Sequence, residues 1–392
     1  MALVEGRSAP RKESRVILRL AARNLLHEPS RSAVALSGVA FAVLLVTLQA
    51  GILVGSAENA STVVDHSRAD LWIASPEVRN FDFGRPIPEA RWLQALGTPG
   101  VARAERMIVA YADWKDSRGR IEKILLVGIE PGAQLSGPWE MAGGDLGGLR
   151  LEGGVVIDER ERTRFGDRGP LALGDRGEIN ERAARGVGFS RGVGSLTTIP
   201  YVFASLRTAT EFSSLYAPGD VSYVLVRGEP GVDRRALADR LGELPDVEVL
   251  PAEAFSRRSR GYWVFGTGLG IGWCMTAILG LVVGTVVLSQ TIYTLTFEKR
   301  SEFATLKSIG WSARALGGVV LAQAGILGAI GYALGVGASR VVLEWIPPAV
   351  SIRLSTGLAA AVLALTGLVA LASAANSVWR LARLEPAEVF HS

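Results

Sequence analysis

Between residues 297 and 314 the sequence reads FEKRSEFATLKSIGWSAR, and Glu298, Lys299, Arg300, Glu302, Lys307 and Arg314 interrupt long apolar stretches on both sides. Read as a helix, this run brings Phe303, Leu306 and Gly310 toward one side and aligns Arg300 with Lys307, seven residues apart. Its apolar stripe is imperfect, because Ala304 and Trp311 fall near the basic line. A helix wedged between its own chain and a second protein has this mixed character, whereas a re-entrant turn needs no such density of charge. The chemistry these groups suit is the docking of a partner.

Other residues that could do chemistry are scattered. The single cysteine, Cys274, lies in an apolar run, which excludes a disulfide framework and a thiolate metal site. His27, His66 and His391 share no metal-ligand spacing. No G-x-x-x-x-G-K-[ST] occurs, so the sequence holds no phosphate-cradling loop of that type. GTGLGIG at 266–272 has G-x-G spacing but no preceding strand, so it reads as close helix packing rather than a dinucleotide site. No Ser/His/Asp set falls on recognisable motifs, and no basic patch is interleaved with aromatics as nucleic-acid binding would need. The expectation is a protein that is not itself an enzyme and binds no cofactor of its own.

The elements that must position the charged run are apolar. Of 392 residues, 48% are hydrophobic, and four stretches lack Asp, Glu, Lys and Arg altogether: 33–57, 261–297, 315–339 and 354–379. About 20 apolar residues at 1.5 Å each cross a bilayer, so each stretch is long enough to span it. The first resembles a signal peptide but is too long for one, and reads as an uncleaved anchor. Small-residue pairs at Gly51/Gly55, Gly280/Gly284 and Gly331/Gly335 are candidates for helix packing, with a dimer seam as one possible use. No ionisable residue lies deep within a span, which argues against ion-coupled transport. Four spans enclose little on their own, which points to a dimer or to a protein that moves its cargo from outside the membrane.

Orientation follows from the short segments. Thirteen Lys and Arg fall in residues 1–32, the 298–314 loop and the tail, against Arg340 and Arg353 in the remaining short loop. Both termini and the charged run therefore face the cytoplasm. Arg257, Arg258 and Arg260, on the outer side, dissent from this rule. Before the first span, Arg15, Arg19 and Arg23 oppose Ile17, Leu20, Ala21 and Leu25 on an amphipathic helix suited to the membrane surface, its basic side toward headgroups or a partner.

The expected architecture is a membrane α-helical protein with four transmembrane helices and a large extracytoplasmic α+β domain. Its divisions are a cytoplasmic amphipathic helix in 1–32, spans at 33–57, 261–296, 315–339 and 354–379, an outer domain at 58–260, a cytoplasmic coupling segment at 297–314, an outer loop at 340–353 and a tail at 380–392. The outer domain carries 27 Lys and Arg against 30 Asp and Glu. DLWIASPE, PEARWLQAL and VARAERMIVAYADW read as strand, helix and strand, and VSYVLVR, VDRRALADRL and VEVLP repeat the pattern. These β-α-β halves (58–114 and 221–260) form a split, porter-like unit around an inserted β-rich module at 115–220.

With these residues in view, EKRSEFATLKSIGWSARAL resembles the signature of FtsX-like ABC permeases, in which a charged lead and a Glu precede a leucine-bearing turn ending in Gly. RLEPAEVFHS is similar to the family's C-terminal ending, and the four-span plan resembles the MacB-type, or type VII, arrangement. RNLLHEPSRSAVALSGVAFAVLLVTLQAG and SRADLWI look most like DevC-type permease subunits. The resemblance implies a homodimer in a bacterial inner membrane, coupled to a separate ATPase that binds ATP and Mg. It implies that Glu298, Lys299, Arg300, Glu302, Phe303, Leu306, Lys307 and Gly310 form the ATPase-coupling helix. Mechanotransmission would then move or release a lipid, glycolipid, peptide or hydrophobic cargo outside the membrane. A periplasmic adaptor (a membrane fusion protein) and an outer-membrane duct are further partners it implies. Two other roles fit the same plan: an FtsX-like signalling scaffold that activates a cell-wall hydrolase without transport, and a lipoprotein-release permease.

Overall fold

A computed structural model of the chain describes residues 10–166, 169–195, 199–346 and 352–382. In chain order it begins with α1 (Pro10–His27), α2 (Pro29–Asn59) and the single turn α3 (Thr62–Asp65). Then come β1 (Leu71–Ala74), β2 (Ile87–Pro88), α4 (Ala90–Leu96), β3 (Val101–Lys115), β4 (Ile121–Ile129), β5 (Met141–Gly144) and β6 (Gly154–Asp158). After α5 (Arg162–Phe165) follow β7 (Arg176–Ile179), β8 (Arg182–Ser190), β9 (Tyr201–Ser205) and α6 (Leu206–Phe212). The outer region closes with β10 (Asp220–Val221), β11 (Tyr223–Gly228), α7 (Arg234–Gly242), β12 (Glu248–Pro251) and α8 (Ala252–Gly261). Four more helices follow: α9 (Leu269–Glu298), α10 (Arg300–Ser308), α11 (Ala313–Trp345) and α12 (Thr356–Ala382). The chain divides into two units, one built mainly from residues 54–271 and the other from the remaining helices.

In the first unit nine strands lie side by side in the order β12-β1-β11-β3-β4-β9-β6-β8-β5, with β7 joining β3 and β8. Strands β1, β6 and β9 are buried at every position because both faces of the sheet are covered there. Period-two alternation sends Trp72 of β1 and Tyr223 and Leu225 of β11 to one core, with Met107, Phe203 and Phe255. Leu71, Ile73, Val224 and Val226 go to the other side, under Leu237 and Leu241 of α7. Each β-α-β half contributes neighbouring strands, with β1 paired antiparallel to both β11 and β12. The expected boundary at 114/115 is not a boundary in the structure. β3 runs unbroken from Val101 to Lys115, pairing with β11 over Val101–Met107 and with β4 over Met107–Lys115, so the 115–220 segment extends the same sheet.

Among the described residues four helices are long and apolar enough to cross a membrane: Pro29–Asn59, Leu269–Glu298, Arg314–Trp345 and Thr356–Trp379. The second starts later than the uncharged stretch beginning at 261. Tyr262–Gly266 form a separate π-helical turn, and Gly268 at φ +77° breaks the backbone before α9, a conformation that suits glycine. α11 continues past Arg340 to Trp345, into the expected loop. Residues 347–351 and the tail motif from 383 onward, His391 included, lie outside the described residues.

Glycines set how closely these helices approach. A Cβ on Gly280 would meet Leu45 at 3.1 Å, and one on Gly284 would strike Ala42, so both face α2 from α9. Gly331 faces Val39, and a Cβ on Gly335 would lie 2.6 Å from the Ala40 carbonyl oxygen, so at Gly335 α11 approaches the backbone of α2 itself. The second and third pairs thus form seams within one chain. Gly51 faces Ile352 and Leu354 ahead of α12, and Gly55 is buried. α1 turns Ile17, Leu20, Ala21 and Leu25 into the helical core and leaves Arg15, Arg19 and Arg23 exposed.

Candidate docking helix and its mounting

α10 is nine residues long, about 13 Å at the helical rise. It is fixed at both ends and along one side. Phe303 and Ala304 are buried, with Phe303 only 3% exposed, in a core shared with Leu25, Leu316, Val319 and Val320. Leu306 and Trp311 pack against the same core, half-buried.

At the start of the helix, Lys299 is 9% exposed and donates from Nζ to Asn24 Oδ1 of α1 at 3.2 Å, with Glu302 Oε2 3.7 Å away. A buried ammonium needs such partners. One residue earlier, Glu298 pairs with Arg31, which also reaches Glu28 at 3.4 Å, so the end of α9 is tied to the start of α2. Lys299 and Glu298 are therefore mounting groups rather than a free charged surface. The side chain of Arg300 lies outside the described residues.

At its end the Trp311 amide donates to the Leu306 carbonyl and the Gly310 amide to that of Lys307, each at 3.1 Å. Gly310, at φ +105°, is the left-handed residue this Schellman stop requires. Its role in the structure is to end the helix, and it does not share a side with Phe303 and Leu306. Ser312 then caps α11 by accepting from the Ala315 amide at 3.2 Å.

With the inner side committed, Ser301, Glu302, Thr305, Ser308 and Ile309 face outward, and Ile309 is 72% exposed. Glu302, Thr305 and Ile309 follow i, i+3, i+7 spacing, the signal by which Thr305 and Ile309 could have been found in the sequence. The surface offers a carboxylate, hydroxyls and one apolar knob on a rigid mount. It can bind a protein and holds no catalytic constellation. Among the described residues no cluster of three or more His, Cys, Asp or Glu could hold a metal.

Two of the three outer arginines are explained by local pairing. Arg258 makes a two-pronged contact with Glu248, both distances 2.6 Å, and Arg260 binds Asp65 at 2.6 Å and the Ser61 hydroxyl at 2.7 Å. Arg257 lines a cleft with Asp70, Asp239 and Glu253. These charges serve the sheet unit, and their number carries little weight in an orientation count.

Comparison with known proteins gives two family matches. The MacB-like periplasmic core domain matches residues 32–244, and the FtsX-like permease C-terminal region matches residues 274–386. Among solved structures, the periplasmic region of MacB from Actinobacillus actinomycetemcomitans is 12% identical over 48% of this chain and 90% of that one, with a TM-score of 0.37. The extracellular domain of the noncanonic ABC-type transporter YknZ from Gram-positive bacteria is 14% identical over 46% and 98%, with a TM-score of 0.33. A domain of a permease protein from Porphyromonas gingivalis is 18% identical over 47% and 90%, with a TM-score of 0.32. No curated protein matches the chain.

Proposed function

The chain belongs to the MacB-like, FtsX-like family of ABC permeases, and from that premise we propose that it is the membrane subunit of an exporter driven by an ATPase on a separate chain. The observation that carries this reading is α10. Its inner side is locked into the helical unit by Phe303, Ala304 and Lys299, and on its outer side Glu302, Thr305 and Ile309 are exposed. A helix mounted this firmly can pass force from a bound partner to the helices that hold it.

In this reading α10 and both termini lie in the cytoplasm of a bacterial inner membrane, and the sheet unit lies outside. Two copies work with two ATPase subunits, which bind ATP and Mg. Closure of the ATPases acts on Glu302 and its neighbours, and the outer unit pushes or releases a lipid, glycolipid, peptide or hydrophobic cargo. DevC-type subunits, which work with an adaptor and an outer-membrane duct, are the subtype we assign on 23–51 and 67–73.

Co-expression with its cognate ABC ATPase tests the proposal. The expected result is a detergent-stable complex in which ATP turnover depends on this chain and rises with extruded cargo in vesicles. A complex that hydrolyses ATP and activates a wall hydrolase while moving nothing would support the signalling scaffold instead. The absence of any complex would overturn both.

A further inference from the structure

In the sheet unit one carboxyl group joins three distant segments. Asp82, on the loop after β1, is 3% exposed. Tyr201, at the start of β9, donates its hydroxyl to Asp82 Oδ1 at 2.6 Å, and Trp263, in the π turn ahead of α9, donates from Nε1 to Oδ2 at 3.1 Å. The bonds around this centre continue on both sides. The Phe81 amide donates to Ser259 Oγ of α8 at 3.1 Å, and Tyr223 of β11 donates to the Phe81 carbonyl at 2.9 Å. Phe83 stacks on Trp263 and meets Tyr111 and Tyr262, closing the apolar side.

We propose that Asp82 is a proton-responsive clasp, which fastens residues 262–266 to the sheet when its carboxyl is neutral and loosens them when it is charged. The proposal is independent of cargo and of the ATPase. Three features of the site support it. The carboxylate has two donors, whereas a charged carboxylate has about four lone-pair sites to satisfy. Its partners are neutral, and no described cation makes an ion pair with it. It also forms part of the wall of a cleft of about 670 Å3, into which a loosened loop can move and take up water.

The groups facing it are Tyr201 of β9, Tyr223 of β11, Tyr111 of β3, and Tyr262 and Trp263 of the π turn. On its own loop Glu77, Arg79 and Arg85 line the same cleft, and Arg258 of α8 is held by Glu248. Burial raises the Asp82 carboxyl to about 6 from an ordinary 3.8, against the opposing effect of the Tyr201 and Trp263 bonds. The sign follows from linkage. The closed form holds the proton more tightly than an opened one, so closure is fully favoured below pH 3.8 and weakens as pH rises to about 6. Between pH 5.0 and 7.5 the opening equilibrium should shift about tenfold toward the open form.

Hydrogen–deuterium exchange on the full chain in lipid nanodiscs, corrected for intrinsic rates, reads this directly. Peptides covering 78–84 and 261–267 should open about tenfold more at pH 7.5 than at pH 5.0. Asp82→Asn should show less than a twofold difference and more protection than wild type at pH 7.5. Glu77→Gln should behave as wild type. A wild type with no pH dependence, an Asp82→Asn chain that keeps it, or a Glu77→Gln chain that loses it would each overturn the clasp. Should Asp82→Asn fail to fold, Tyr201→Phe decides. Removing a bond that favours the charged form should move the midpoint upward by at least half a pH unit, and an unmoved midpoint would contradict the proposal.

Discussion

Alanine in place of Trp72 is expected to weaken the sheet unit by about 3–5 kcal/mol, the cost of a large buried truncation whose cavity cannot fully collapse. Trp72 is fully buried in β1, between β11 and β12. Its ring meets Phe81 at 6.0 Å edge-on, Tyr223 at 5.6 Å and Phe255 at 5.4 Å. It therefore supports the loop bearing Asp82, strand β11 and helix α8 together. At roughly 1.4 kcal/mol per tenfold, exchange protection of the β1 and β11 amides should drop by two to three and a half orders of magnitude. Trp72→Phe should cost far less. It keeps an aromatic ring and removes an indole N–H that has no hydrogen-bond partner among the described residues. Equal losses in the two variants would contradict this account of the core.

Reversing the outward charge of α10 has the second large effect. Glu302→Arg and Ile309→Asp are each expected to weaken the complex with the ATPase at least tenfold, while leaving the chain folded. Both side chains project from the mounted helix, so neither change opens a cavity. A charge-assisted contact is worth about 1.5–3 kcal/mol, and loss of 1.4 kcal/mol is already tenfold. Glu302→Arg also places a second cation beside Lys299, itself held by Asn24. Phe303→Ala should behave differently and lower the melting temperature of the chain, because that ring lies in the helical core. Titrating the ATPase against each variant, with thermal melts in parallel, separates lost docking from lost folding. Wild-type affinity in both outward variants would remove α10 from the coupling path.

The physical reasons for what could be read from the sequence are specific. The apolar helices stand out because 25 or more residues without a charge have few other uses in a protein. The β1, α4 and β11, α7 units were legible from local periodicity. β3 was legible too, as VARAERMIVAYADW, but its pairing with β4, which carries the same sheet past residue 115, was not, because strand partners leave no local mark in the sequence. Glu105 turned out to be a buried acceptor for the Gln134 and Leu135 amides, at 2.7 and 3.0 Å. Trp263 reads as an interfacial aromatic until its N–H is seen to bind Asp82, 181 residues away. Lys299 reads as surface charge until Asn24, 275 residues away, is seen to hold it. Such partnerships depend on long-range packing, and a single sequence carries no local mark of them. Gly310 stood out in the sequence, and its geometry adds that it is the helix stop, next to the outward positions Ser301, Glu302, Thr305, Ser308 and Ile309.

Site-directed cross-linking tests the docking role of α10 most directly. In a Cys274→Ser chain co-expressed with its cognate ATPase, a benzophenone maleimide is attached through Thr305→Cys on the outer side of α10. The same label is attached through Thr356→Cys, at the far end of the α11–α12 hairpin. The proposed arrangement predicts an ATPase adduct from position 305 and none from position 356. No adduct at 305, or adducts of equal yield at both, would contradict it.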